Sequence, residues 1–332
     1  MDDFDVIEFP VNLSLKNNYD TITLKDSNCY TKEITSVRAK TTTKSNLEAL
    51  KTDNEQIISV DEFYKRFVFK TFDLCIEESK APQRSKLWHD ARRFCITASS
   101  FAAAVGNNKY CSPRDLLMEK LWASFKGSEA TEYGTFHEMD AQNSLIAVLQ
   151  SKPQLLQDLY FKDFMCTSFK IQEVGLLKHY SQPWMAVSPD GILILEGTKG
   201  PRYILIEYKC PANLRDSLNH PYSKSPFNVP EYYMDQIQGI MGLLNKFPDL
   251  LLGPCNLLLG PCKEDKNLDF CLFVVWQPAQ LHITRVPYKK KYYEDFLEPA
   301  LKEWYFEQYL PMAVLKHNNK LKKNTLEYII TI

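Results

Sequence analysis

The stretch Tyr203-Ile204-Leu205-Ile206-Glu207-Tyr208-Lys209 constrains this chain more than any other. Alternation along a strand puts Tyr203, Leu205, Glu207 and Lys209 on one face and Ile204, Ile206 and Tyr208 on the other. Both faces begin apolar, the pattern of a central strand covered on two sides rather than an edge strand wetted on one. A carboxylate and an ammonium at the end of such a strand are costly to bury unless they are paired or engaged by a metal ion. The spacing predicts a buried central strand with a charged site at its end. A salt bridge capping that strand is the other reading of the same residues.

The neighbouring elements follow from local signals. Trp184 to Leu195 reads as a strand joined to 203–208 through Gly197-Thr198-Lys199-Gly200-Pro201, so the two form a hairpin. Within it Ser188-Pro189-Asp190-Gly191 is a turn signature that sets Asp190 beside Glu207. Glu132 to Leu149 reads as one amphipathic helix in which Gly134, Glu138, Ala141, Leu145 and Val148 share a seam, which puts Glu138 among apolar neighbours. A glutamate there is a ligand or part of a buried ion pair. Glu231 to Asn245 is a further helix. Gln236 shares its stripe with Tyr233, Ile240 and Leu243, so the amide faces either the core or the site. Trp88 to Phe94 is a helix, and Ile96-Thr97-Ala98-Ser99 leads into another that ends at Gly106 with Thr97 as its N-cap. Phe270 to Trp276 and Leu281 to Val286 are later strands, and Val60 to Glu77 is a short amphipathic helix carrying Phe63, Phe67 and Leu74.

Two or three carboxylates around one strand end supply hard oxygen ligands of the kind that suit Mg²⁺ or Mn²⁺. A nearby lysine can orient an attacking water or stabilise charge on a phosphate, so this set points to phosphodiester chemistry. Arg92, Thr97 and Ser99 gather near a helix start, where free N–H groups attract anions; they form either a phosphate pocket or an ordinary capped helix. Forty basic against 41 acidic residues give a net charge of -1, so any nucleic-acid contact has to come from local patches such as Lys109–Lys126 or Lys289–Lys291. No run reaches the roughly 18 apolar residues of a membrane span, and the first residues lack a secretory pattern, so no membrane partner and an intracellular location are expected. The nine cysteines lack CxxC pairs, which argues against a disulfide framework or a zinc knuckle.

Taken together, Trp88-His89-x-x-Arg92 with Ile96-Thr97-Ala98-Ser99, Gly134-x-x-x-Glu138-x-x-Ala141, Ser188-Pro189-Asp190-Gly191, Glu207-Tyr208-Lys209-Cys210-Pro211 and Tyr233-Met234-Asp235-Gln236-Ile237-Gln238 occur in an order that resembles the phage lambda exonuclease and YqaJ-like viral recombinase family of PD-(D/E)xK nucleases. The resemblance spans about residues 84–310. It implies an α/β fold with a restriction-endonuclease-like PD-(D/E)xK core, a mixed central sheet flanked by helices. It also implies Mg²⁺, with Mn²⁺ as a substitute, held by Glu138, Asp190, Glu207 and the backbone carbonyl of Tyr208. Lys209 then positions the nucleophilic water and Gln236 supports the site, with Gln238 the weaker candidate. By the same carry-over Arg92, Ser99 and Ser188 grip a 5′-phosphate. The implied activity is 5′ to 3′ digestion of linear double-stranded DNA in recombination, repair or viral DNA processing. A single-strand annealing protein as companion and a homotrimer follow from the family alone.

Two alternatives share the fold: a structure-specific or single-strand endonuclease, and a catalytically silent DNA-binding protein. Cys210, Cys255, Cys262 and Cys271 are too dispersed for an iron-sulfur cluster, so none is expected. His137 adjoins Glu138 but points about 100° away on a helix, outside the site. The expected organisation is a polar accessory segment at 1–80, a nuclease domain at 81–312 and a tail at 313–332. Two departures from the family pattern are a longer hairpin between Asp190 and Glu207 and the stretch from Ala212 to Pro230, which loops out before the Gln236 helix.

Overall fold

In a computed structural model of the chain the described residues are 57–122, 128–155, 164–198, 200–212, 229–251, 267–278 and 280–323. Helices α1 (Val60–Phe63), α2 (Phe72–Ser79), α3 (Lys86–Arg92), α4 (Phe101–Ala104), α5 (Pro113–Trp122), α6 (Glu129–Phe136) and α7 (Glu138–Ser151) precede the main sheet, and α8 (Glu231–Lys246) interrupts it. Strands β1 (Ile96–Thr97) and β3 (Met185–Ala186) form a small parallel ladder. The main sheet is β2 (Cys166–Gln172), β4 (Gly191–Gly197), β5 (Arg202–Lys209), β6 (Phe270–Gln277) and β7 (Gln280–Pro287), in the spatial order β2-β4-β5-β6-β7. Only β5 and β6 are parallel within it, and α8 lies in the crossover between them, as a parallel connection requires. This is the mixed sheet flanked by helices that the sequence leads one to expect.

The two faces of β5 part as alternation predicts. Tyr203 and Leu205 join one core with Ile237, Ile240 and Leu244 of α8, while Ile204, Ile206 and Tyr208 join another with Ala141, Leu145 and Val148 of α7. Each fully buried aliphatic side chain contributes about 1.5–3 kcal/mol, so both layers hold β5 in place. Close approach on the α8 side depends on Gly242, where a Cβ would lie 2.2 Å from the Tyr293 ring. The helical run 290–317 closes that core with Trp304, Tyr305 and Tyr309.

Several elements differ from the sequence expectation. The 132–149 helix is two helices broken at His137, whose φ and ψ are −96° and 3°. The buried seam belongs to α7 alone, because α6 buries none of its residues. The 60–77 helix is likewise interrupted: a π-helical turn follows α1, and the Thr71 hydroxyl starts α2 by accepting from the Leu74 N–H. Leu74 is left exposed, while Phe63 is buried. The 184–195 run divides at the Ser188–Gly191 turn, and its halves enter different ladders. Ile58, Phe63 and Val68, and at the other end Ala313, Val314 and Leu321, pack into the same core as α8.

Candidate active site

Glu207 stands near the end of β5, between β4 and β6, and is 1% exposed. Its Oε1 accepts from Lys209 Nζ at 2.5 Å and from the Gln236 side-chain amide of α8. Its Oε2 is buried without a hydrogen-bond partner, an arrangement native proteins rarely leave unexplained. Asp190 follows Ser188-Pro189 in the turn entering β4, and its Oδ2 accepts from the Tyr208 backbone N–H at 2.8 Å. Antiparallel pairing of Gly191 with Ile206 sets these carboxylates side by side. Lys209 Nζ lies 4.6 Å from the centre of the Tyr233 ring, a cation–π contact that helps fix the ammonium.

The charges at this strand end are strongly coupled. Burial pushes the Asp190 carboxyl well above its usual range, Glu207 and Glu138 add repulsion, and Lys209 offsets this only in part. Burial works against the Lys209 ammonium, yet Glu207 and Asp190 overcome it and hold its pKa above the ordinary lysine value. A raised aspartate pKa means that the stability from its protonated form is fully present below about 3.8 and is lost as pH rises through the raised value. The metal-free protein is therefore expected to lose melting temperature as pH rises above the ordinary aspartate range, and Asp190→Asn to flatten that slope. Thermal denaturation in EDTA across this range checks it; parallel slopes for the two proteins count against the coupling.

Glu138 opens α7 instead of lying in its apolar seam, with a side chain 35% exposed. Arg84 Nη2 donates to both its oxygens at 2.7 Å. The adjacent His137 backbone carbonyl accepts from Cys210 Sγ, tying the start of α7 to the residue after Lys209. The structure thus gathers Asp190, Glu207, Lys209 and Gln236, and keeps Glu138 beside them but turned to Arg84. Among the described residues no three His, Cys, Asp or Glu side chains are grouped as a ready-made metal cage. The donor chemistry nonetheless fits a divalent cation: three carboxylates face two cations, and one buried carboxylate oxygen has no partner.

Gln238 lies off the site, since its amide donates to the Pro287 carbonyl at 2.9 Å and accepts from the Lys289 N–H at 2.7 Å. His137 pairs with Asp140 and stacks on Trp276. Cys210 and Cys271 are buried free thiols; Cys255 and Cys262 lie outside the described residues, as does most of the 212–230 loop. Sequence reasoning missed Arg84, whose φ of 67° is unusual for a non-glycine residue. Nothing in its spacing marks it. In the sequence Tyr233 stands as a stripe member and as the first residue of the 233–238 motif, and its contact with Lys209 depends on the tertiary packing of α8 against β5.

A second cluster surrounds Arg92. Its guanidinium sits 3.9 Å from the Trp88 ring centre and donates to Thr97 Oγ1 at 3.3 Å. Thr97 occupies the expected N-cap position without capping by its side chain, because its hydroxyl serves Arg92. Helix α4 has only four residues, so charge in this cluster comes from side chains more than from a helix dipole. Burial draws the Arg92 pKa down to about 10. Burial, aided by repulsion from Arg92, draws that of Lys120 on α5 down to about 8. Ser99 and Ser188 each lie two residues beyond the last β1/β3 pair, Thr97 with Ala186, so both leave the ladder at the same end. Ser99 is exposed, and the Ser188 hydroxyl is buried without a partner.

Residues 87–243 match the model of the YqaJ-like viral recombinase domain. The matched range spans the Arg92 cluster, Glu138, the Pro189-Asp190 turn, Glu207-Tyr208-Lys209 and Gln236. Among solved structures, an alkaline exonuclease from Laribacter hongkongensis aligns with 19% identity and a TM-score of 0.45, over 71% of this chain and 97% of that one. The same enzyme in complex with dAMP aligns with 18% identity and a TM-score of 0.42, over 74% and 100%. A search of curated proteins returned no match. Among the described residues no helix is long and apolar enough to cross a membrane.

Proposed function

We propose that this chain is a Mg²⁺-dependent deoxyribonuclease that digests linear duplex DNA from 5′-phosphorylated ends. The observation that carries the reading is the Glu207 carboxylate, with one oxygen held by Lys209 and Gln236 and the other buried, unpartnered and beside Asp190. Glu138, Asp190, Glu207 and the Tyr208 carbonyl would hold the metal. When bound, the ion polarises the scissile phosphate and lowers the pKa of a water.

The remaining roles belong to the chain. Lys209 stays charged at neutral pH, so it acts as a fixed cation that orients the nucleophile and offsets charge on the phosphate, not as a base. Gln236 locks one oxygen of Glu207 and so aims the other. Arg92, with Ser99 and Ser188, takes the terminal phosphate and sets the strand's register. An end-binding pocket separate from the hydrolytic carboxylates is what restricts digestion to ends. A linear duplex and a covalently closed circle of the same sequence, incubated with Mg²⁺, test this. The linear form is expected to disappear while the circle survives; nicking of the circle would replace the exonuclease reading with an endonuclease on the same fold.

A further inference from the structure

From Lys209 outward runs a line of aromatic side chains that the hydrolytic roles leave unused. Tyr233 lies under the lysine ammonium, Tyr232 packs on Tyr233 with ring centres 4.5 Å apart, and Tyr110 meets Tyr232 edge-on at 5.6 Å. Tyr110 is 69% exposed, and Lys109 Nζ sits 4.9 Å from its ring centre. An exposed aromatic at the tip of a loop is ordinarily free to move, but this loop is fastened to the catalytic helix. Asn107 donates to the buried Asp235 at 2.9 Å, and Asp235 also accepts from the Tyr292 hydroxyl. Asp235 precedes Gln236, so the same turn of α8 that aims Glu207 also fixes the loop. The Tyr110 N–H donates to Asn108 Oδ1 at 2.9 Å, and the Asn107 and Asn108 N–H groups both donate to the Ala102 carbonyl.

We propose that Tyr110, backed by Tyr232, is a stacking platform for a nucleobase of the strand whose phosphate reaches Lys209, with Lys109 meeting a flanking phosphate. The inference rests on the nuclease reading and adds a positioning site to it. A rigid, solvent-facing ring beside a cation, continuous with the hydrolytic lysine, suits a base and its phosphate because every base offers a π-face. It tolerates any sequence, as an enzyme digesting whole strands requires. The acidic Asp235 is spent internally on Asn107 and Tyr292, which leaves the approach free of its charge.

The test uses the full chain in EDTA, where hydrolysis is blocked, with a 5′-phosphorylated duplex carrying 2-aminopurine in its terminal nucleotides. Binding to the wild type is expected to quench the 2-aminopurine by stacking. Tyr110→Ala should restore most of the fluorescence and weaken binding about tenfold. Tyr110→Trp should retain both, and Asn107→Ala, which frees the loop without removing the ring, should reduce the quench. Hydrolysis of bis(p-nitrophenyl) phosphate, which has no base to stack, should be unchanged by Tyr110→Ala. A wild type that digests DNA while Tyr110→Ala shows the same quench and affinity overturns the platform alone. A wild type that neither binds nor digests DNA overturns the nuclease reading beneath it.

Discussion

Glu207→Gln is expected to lower kcat/KM on duplex DNA by at least about a thousandfold, roughly 4 kcal/mol of transition-state stabilisation, while leaving the melting temperature within a few degrees. The amide keeps an acceptor for Lys209 and Gln236, so the hydrogen bonds that locate the side chain survive. What disappears is the charge on the unpartnered oxygen, and with it the affinity for a divalent cation. Lys209→Ala should cost as much activity but behave differently in stability. Glu207 is 1% exposed, and stripping its counter-charge leaves a buried, uncompensated carboxylate, a change that costs about 3–5 kcal/mol. A structural salt bridge at a strand end would give the stability loss without the catalytic one, so paired assays of turnover and thermal denaturation separate the two. Turnover retained in Glu207→Gln would remove this residue from the chemistry.

Arg92→Ala is expected to erase most of the preference for 5′-phosphorylated over 5′-hydroxyl ends, a loss of about 10–100-fold that corresponds to about 1.5–3 kcal/mol for a charge-assisted hydrogen bond. The argument is one of unmet charge. The Arg92 guanidinium is desolvated against Trp88 and donates to the neutral Thr97 hydroxyl, and Lys120 adds a second partly buried cation. Two such cations are costly unless an anion completes the pocket. Arg92→Lys keeps the charge but loses the planar stack on Trp88 and the forked donor geometry, so it should recover little of the preference. Competition between the two kinds of end on one labelled duplex reads this directly. A similar loss of preference in Lys320→Ala, an exposed lysine outside the cluster, would mean that overall charge and not a pocket sets the selectivity.

The part of the site legible in the sequence is the part fixed by short-range periodicity. Residues 203–209 declared their two faces, and the Ser188–Gly191 turn placed Asp190, because strand alternation and turn chemistry act over a few residues. Gln236 was found on a helical stripe for the same reason. Glu138 was found by the wrong route. The apolar seam runs through α7 alone, and periodicity is blind to the break at His137, whose non-helical backbone ends α6 without changing the residue spacing. The Thr97 hydroxyl was assigned to a backbone N–H because Thr before a helix usually caps it, whereas a guanidinium five residues earlier competes for it here. Arg84 and Tyr110 carry no local signal. One meets Glu138 across 54 positions, and the other is placed by a link from Asn107 to Asp235 across 128. Contacts of that range depend on the finished packing.

The most direct test of the central claim is a time course of wild-type protein on a linear duplex labelled at either the 5′ or the 3′ terminus of one phosphorylated strand, with Mg²⁺ or with EDTA. Early release of the 5′ label as a mononucleotide, delayed release of the 3′ label and no release in EDTA are the expected results. Release that persists in EDTA, or no release in Mg²⁺ from a folded protein that binds the duplex, would contradict the assignment of Asp190, Glu207 and Lys209 as a metal-dependent hydrolytic site.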